Sequence, residues 1–374
     1  MINSRISWME IGIIGLPKSG KTTVFNALTR GRAEITAFSP ATTTPNIGVA
    51  KVPDPRLKAL EGIFSPKKTT PAEVRYVDVA TPSKGPGKEE GLRGQLLTHL
   101  TRADALIHVL RTFKDDRVPH IDGSIDPERD ITTMNLELAF SDLSILEKRL
   151  EKLETSLKAA KQHERELYLR ERALLARIKD SLEQDIPLRE QALNKEEMKI
   201  IESYQFLTAK PMLLVLNIGE DELARASYLE EEWRARHSSS QLEVAVLCGK
   251  LEMELAQLPD ANAEEFRAAM GITELGSGRI IALSYKLLGL ISFFTVVSGE
   301  VKAWTIRRGT TAPRAAGKVH SDMEKGFIRA EVIGFEDLVK CGSLAEARKR
   351  GLLRLEGKNY IVQDGDIITF LFNI

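Results

Sequence analysis

The sequence predicts an α/β fold: a mostly parallel, doubly wound sheet, interrupted by a helical insertion and followed by a small β-rich domain. Three observations carry this. Short apolar runs recur between helix-like stretches: Glu10–Gly15, Asn46–Val52, Glu73–Val79, Ala105–Leu110, Pro211–Asn217 and Glu243–Cys248. Such runs mark strands buried on both faces, and helices between them imply parallel pairing. Between the fourth and fifth runs, Asp130 to Tyr204 holds no glycine and is rich in Glu, Lys, Arg, Leu and Ala. After about Leu290 the chain turns β-rich, over Val296–Ile306 and Tyr360–Phe372, with a glycine turn in Gln363–Asp366 and a short helix over Ser343–Arg350.

The insertion has its own logic. Leu143, Leu146, Leu150, Leu153 and Leu157 follow heptad spacing. A second periodic stretch, with Leu167, Leu174, Ile178 and Leu182, ends near Pro187. A polar break at Lys161–Arg165 lets the two helices fold back as an antiparallel pair. The strand pattern resumes afterwards, so the expected organisation is a nucleotide domain over 9–288, a helical insertion over 130–204 and a third domain over 289–374.

Composition excludes several classes. The 374 residues balance 53 Lys+Arg against 53 Asp+Glu, which rules out a uniformly basic nucleic-acid binder. No recognition of DNA sequence is expected. Apolar residues at 43% and charged residues at 28% fit a folded chain. Cys248 and Cys341 are too few for a disulfide framework. The longest apolar run, about Leu287 to Val297, is roughly half the ~20 residues of a membrane helix. A cytoplasmic protein without a membrane partner is expected.

The strongest local signal is GLPKSGKT, Gly15–Thr22, followed by Thr23. It matches Gly, four residues, then Gly-Lys-Ser/Thr, between a strand and a helix. Gly15 and Gly20 permit a tight loop whose N–H groups face phosphate oxygens. The helix N-terminus adds a favourable dipole. Lys21 would stabilise the β/γ-phosphates, and the Thr22 hydroxyl would ligate Mg²⁺. Asp78 ends a strand at the position that holds the metal in such sites. Any of Thr42, Thr43 and Thr44 could complete the metal shell when γ-phosphate is present. Thr81–Gly91, rich in Gly, Lys and Glu, reads as a mobile switch loop. Asn217 stands where the base is recognised. A guanine reader would carry Asn-Lys-x-Asp, whereas this chain has Asn217-Ile218-Gly219-Glu220. The guanine clamp is impaired and adenine becomes plausible.

Assembled, these segments resemble the YchF or Obg-like ATPase family over nearly the whole chain. GLPKSGKTTVFNALT is similar to that family's P-loop, Thr43–Leu57 to its PNxGVVxVPDPRL segment, and Asn217–Glu220 to its Asn-x-x-Glu base motif. Ala303–Ile333 and Leu355–Asn373 resemble its TGS domain. The resemblance implies a P-loop NTPase with an inserted α-helical hairpin and a C-terminal β-grasp (TGS) domain. It also implies ATP preferred over GTP, hydrolysed slowly to ADP, and association with ribosomes or structured RNA. By the same resemblance Lys18, Ser19, Gly20, Lys21, Thr22 and Thr23 surround the phosphates, and Thr22 and Thr42 ligate Mg²⁺. Ile218 meets the base beside Asn217, Cys248-Gly249-Lys250 forms the last base-side loop, and His120 aligns with a histidine that positions the attacking water. The chain departs from the pattern at Lys18 and Ser19, where the family has Asn-Val. It departs again at Thr81-Pro82, where a γ-phosphate-sensing glycine and an apolar residue are usual. Weakened turnover is expected from the second departure. His108, inside its strand, reads as a packed residue.

Overall fold

The computed structural model describes residues 9–33, 45–79, 98–237, 239–272 and 274–373. Thr42, Thr81, Pro82 and the expected switch loop lie outside the described residues. The chain divides into two compact units: Glu10–Gly48 with Tyr76–Ser277, and Met1–Met9 with Val49–Arg75 and Gly278–Ile374.

Among the described residues seven strands precede residue 250: β1 (Glu10–Ile14), β2 (Asn46–Lys51), β3 (Lys68–Thr70), β4 (Glu73–Asp78), β5 (Ala105–Arg111), β6 (Met212–Asn217) and β7 (Leu242–Leu247). Six of them form a sheet in the order β2-β4-β1-β5-β6-β7. β1, β5, β6 and β7 pair in parallel. Every residue of β5 and β6 is buried, because helices cover both faces of a parallel sheet. Strand order reverses around β1, which puts the loop after β1 at a switch point where ligands bind in such sheets. That loop feeds α1 (Lys21–Thr29), which buries Val24, Phe25, Ala27 and Leu28. α2 (Pro55–Phe64) opens on an N-cap, Asp54, whose side chain accepts from Arg56 N.

The insertion is a hairpin of α3 (Pro127–Ala159) and α4 (Gln162–Leu182), followed by the short α5 (Lys195–Ile201). Asp126 caps α3, and Pro127 occupies its first turn, where no N–H is needed. The turn falls at Ala160–Lys161, both extended, at the leading edge of the expected break. Leu146 and Leu153 from the heptad series pack on Leu174, Leu175, Ile178 and Leu182. Leu167, expected in the second apolar series, is 55% exposed. The buried stripe of α4 begins only at Leu174.

Past residue 220 come α6 (Ala226–His237), α7 (Gly249–Gln257) and α8 (Asp260–Ala269). α9 (Gly276–Leu287) leads into the other unit.

There the apolar run at Leu287–Val297 is a strand, β8 (Leu290–Val297), in a hairpin with β9 (Glu300–Arg307). Its two-residue turn, Ser298-Gly299, has positive φ at both positions, the type I′ geometry that matches strand twist. α10 (Ala312–Val319) and α11 (Ser321–Lys325) follow, then β10 (Phe327–Gly334), α12 (Phe335–Cys341), α13 (Leu344–Lys349), β11 (Arg354–Glu356) and β12 (Asp366–Phe372). The sheet order is β11-β10-β12-β8-β9-β3, with β12–β8 and β3–β9 parallel. Ala312, Ala315 and Ala316 of α10 pack on Phe293, Phe327 and Phe370. This is the helix-on-mixed-sheet arrangement of a β-grasp domain. Residues 49–75, which the sequence reading placed within 9–288, belong to this unit. β3 supplies its last strand, and Arg56 bonds both Asp54 and Asp364 with its guanidinium 5.2 Å over the Phe294 ring.

Candidate functional site

The loop after β1 is shaped by backbone positions that exclude side chains. Gly15 has φ +152° and Gly20 φ +91°. A Cβ on Gly20 would overlap the Asn217 amide nitrogen. Lys18 also sits at positive φ, +65°, a conformation that costs a non-glycine residue about 1 kcal/mol. Ser19 is buried, and its hydroxyl has no partner among the described residues. Thr23 is half-buried in the first turn of α1.

Lys21 is buried at the start of α1, and its ammonium donates to Gly15 O and Leu16 O, both at 2.9 Å. Burial pushes its pKa down to about 8, against the opposing pull of the Asp78 carboxylate. Asp78, at the end of β4, is 3% exposed. Its Oδ2 accepts from the Thr22 hydroxyl at 2.8 Å and from the Asn46 amide at 3.2 Å. Its Oδ1 is buried and takes no donor among the described residues. A carboxylate oxygen buried without a donor is costly unless a ligand or water completes it. Because the Thr22 proton points at Asp78, the hydroxyl lone pairs remain available. One hydroxyl and one carboxylate form the donor set expected of Mg²⁺, which keeps several waters and leans on substrate phosphates. The residues present fit that ion.

The base end is built differently. Asn217, at the end of β6 and 3% exposed, donates through Nδ2 to Ser19 O and accepts through Oδ1 from Gly249 N, both at 3.0 Å. Its side chain therefore braces the phosphate loop against the start of α7. Ile218 is buried and donates its N–H to Leu247 O at 2.9 Å. Cys248 is buried, and that burial raises its thiol pKa. Glu220 is half-exposed and pairs with Lys250 at 2.9 Å.

Ser19, Asn217 and Gly249 thus form one bonded set with Gly20 packed against it, and Thr22 and Asp78 form another. His120 joins neither. Its side chain is 5% exposed, Nε2 lies 3.3 Å from the Asp130 carboxylate, and Nδ1 accepts from Asp122 N. His108 is fully buried in β5 with both ring nitrogens unpartnered among the described residues, and burial drives its pKa down to about 3.

Three residues at the site escaped the sequence reading. Asn46 opens the apolar run Asn46–Val52, but nothing in its spacing shows that it reaches Asp78. The Thr112 hydroxyl and N–H both bond Asn217 O. Arg111, 2% exposed, donates to Phe113 O and stacks 4.6 Å over the Phe113 ring. The fourth apolar run, Ala105–Leu110, stops one residue short of Arg111.

Comparison with known proteins extends this picture to the whole chain. Residues 10–139 match the model of the 50S ribosome-binding GTPase family, and residues 290–373 match the YchF GTPase C-terminal model, described as a protein of unknown function (DUF933). The chain is 42% identical over 368 residues to the ribosome-binding ATPase YchF of Bacillus subtilis, covering 98% of this chain and 100% of that one. It is 42% identical over 365 residues to the protein of the same name from Haemophilus influenzae, covering 98% and 99%. The solved structure of the Schizosaccharomyces pombe YchF GTPase superposes with a TM-score of 0.84 at 31% identity, covering 97% of each chain. With the phosphate loop, the helical hairpin and the β-grasp unit all present in the matching order, the chain belongs to the YchF family of P-loop NTPases.

Proposed function

We propose that this chain binds ATP with Mg²⁺, hydrolyses it slowly to ADP and uses the nucleotide to control attachment to the ribosome. The observation that carries the nucleotide reading is the Asp78 carboxylate, buried beside Thr22 and Lys21 with one oxygen lacking a donor. Bound Mg²⁺ would neutralise phosphate charge. Thr22 and Asp78 would hold it, with Thr42 expected to join them. Lys21 would exchange its two carbonyl partners for phosphate oxygens, which its charge stabilises as negative charge shifts during transfer. Lys18, Ser19, Gly20 and Thr23 would cradle the phosphates.

The named relatives disagree on the base, two being called ATPases and one a GTPase. Ile218 stands where a guanine reader carries Lys, and Glu220 is held by Lys250. These favour ATP. Asn217 contributes by fixing the backbone of Ser19 and Gly249 rather than by offering a free amide. Paired calorimetry of ATP and GTP with Mg²⁺ tests this, and GTP binding tenfold tighter than ATP would sink it.

His120 remains the proposed water-positioning residue, but both its ring nitrogens are engaged here. Hydrolysis through His120 therefore requires its loop to rearrange, which fits slow turnover. The same observation favours the second reading, a non-hydrolysing nucleotide sensor. Single-turnover hydrolysis by the parent and a His120→Ala variant separates the two.

The ribosome reading rests on the names of the bacterial relatives. It is supported by Arg308, Arg314 and Lys325, which are exposed and form no ion pairs among the described residues. In the insertion, by contrast, Arg170, Arg177 and Lys179 are paired with Glu166, Glu197 and Glu183. Such unpaired cations give phosphate binding that falls steeply with salt. Co-sedimentation with ribosomes in ATP, ADP and a non-hydrolysable analogue tests it. Binding that persists unchanged when Arg308 and Arg314 become Glu would remove this surface from the reading.

A further inference from the structure

Asp78 takes its two donors on a single oxygen. The Thr22 hydroxyl comes from the first turn of α1, and the Asn46 amide from the first residue of β2. An Asp carboxylate rotates about a broad, two-fold torsion, so one donor fixes a contact but not the plane. Two donors from separate elements hold the plane and present Oδ1 in one direction.

The placement of Asn46 has a structural cause. Two residues along β2, Gly48 lies so close to α1 that a Cβ there would come within 2.7 Å of Thr29 and 2.9 Å of Phe25. Only glycine lets β2 run this near the helix, and that approach carries the Asn46 amide to Asp78. Asn46 is itself exposed at the surface, so burial does not explain an amide there.

We infer that Asn46 is a positioning residue for the metal: it locks the Asp78 carboxylate so that Oδ1 faces the Mg²⁺ site. This inference rests on the Mg²⁺–ATP reading above.

The test is calorimetric binding of ATP to the full chain with Mg²⁺ and with EDTA, for the parent and the Asn46→Leu, Asn46→Asp, Gly48→Ala and Asp78→Asn variants. The quantity read is the ratio of the two affinities. Loss of a hydrogen bond to a charged group predicts a fall of about tenfold in that ratio for Asn46→Leu. Asn46→Asp keeps the shape, removes the donor and sets a like charge against Asp78, so its fall is at least as large. Gly48→Ala reproduces the effect without touching Asn46. A purely structural role would lower both affinities together and leave the ratio in place. A parent ratio retained in Asn46→Leu and Asn46→Asp, while Asp78→Asn loses it, overturns the inference alone. No Mg²⁺ effect in the parent, or an undiminished one in Asp78→Asn, overturns the metal reading and the inference with it.

Discussion

At the phosphate end, Asp78 keeps a buried oxygen without a donor and Lys21 rests on two loop carbonyls. At the base end, Asn217 has both its amide groups engaged with protein, and Glu220 sits half-exposed in an ion pair. Buried polar atoms are normally satisfied, so an orphan calls for an explanation, and beside Thr22 and Lys21 a bound ligand would supply one. The contrast teaches that strength and selectivity come from different places in this site. On the proposed reading, charge and an incomplete buried shell would hold the phosphates and the metal. The base would be read by what surrounds a rigid brace, at the solvent edge. Substitutions at the two ends should therefore fail in different ways.

Lys21→Ala should produce the largest effect. It removes a buried cation beside the phosphate loop, and loss of a single preorganised charge partner costs about 10²–10³ in rate. Single-turnover hydrolysis measures this. A variant within tenfold of the parent would show that phosphate stabilisation lies elsewhere. Asn217→Ala should act on stability first. It strands Ser19 O and Gly249 N–H, and each buried unpaired group costs about 1–3 kcal/mol. Denaturant unfolding should show a lower midpoint with an unchanged slope. If stability holds and only nucleotide affinity falls, Asn217 is a base reader and not a brace.

The sequence made the two ends legible to different depths. Gly15, Gly20, Lys21 and Thr22 announce the phosphate loop because backbone sterics and phosphate charge demand those residue types at that spacing. Asp78 followed from its place at a strand end. Asn46 did not, because its reach depends on how near β2 runs to α1, a tertiary fact that Gly48 permits but does not advertise. At the base end Asn217 was legible as a position and not as a brace, since the partners of a side-chain amide lie in other loops. The helical hairpin was legible from heptad leucines, whereas exposed Leu167 shows that one periodic leucine does not reveal how far a buried stripe extends. The parallel joining of β3 to β9 had no local signal at all, being three residues long.

His108 extends the comparison beneath the sheet. It is buried with both nitrogens unpartnered among the described residues, near the positive charges of Arg189 and Lys21. Its ordinary pKa of 6.5 falls to about 3 in the fold. Above pH 6.5 neither the folded nor the unfolded chain protonates it. As pH falls from 6.5 towards 3, the unfolded chain takes up a proton that the fold refuses. Stability therefore drops, by about 1.4 kcal/mol per pH unit. His108→Leu should flatten this part of the pH–stability curve. A curve with the parent's slope between pH 6 and pH 5 would mean that His108 finds a proton partner in the fold.

Ser19 tests the phosphate end without adding a ligand. Its hydroxyl is buried and unpartnered among the described residues. Ser19→Ala should raise stability by about 0.5–1 kcal/mol, the desolvation it relieves less the packing it loses. Thermal unfolding measures the change. A destabilised variant would show that the hydroxyl has a partner in solution, such as an ordered water.

The smallest effect belongs at the solvent edge of the base end. Glu220 and Lys250 are both substantially exposed, so their ion pair adds only a few tenths of a kcal/mol to stability. Unfolding of Glu220→Asp should match the parent. The base preference should move, because the shorter side chain draws its carboxylate back from Lys250 towards the length found in guanine readers. Ile218 still stands where those readers carry Lys, so only part of the guanine contact is restored. The GTP-to-ATP affinity ratio should rise by about threefold, roughly 0.6 kcal/mol. Paired calorimetry at one Mg²⁺ concentration resolves such a change. An unmoved ratio would assign base selection to the backbone around buried Ile218, and a rise beyond tenfold would mean that Glu220 alone had excluded guanine.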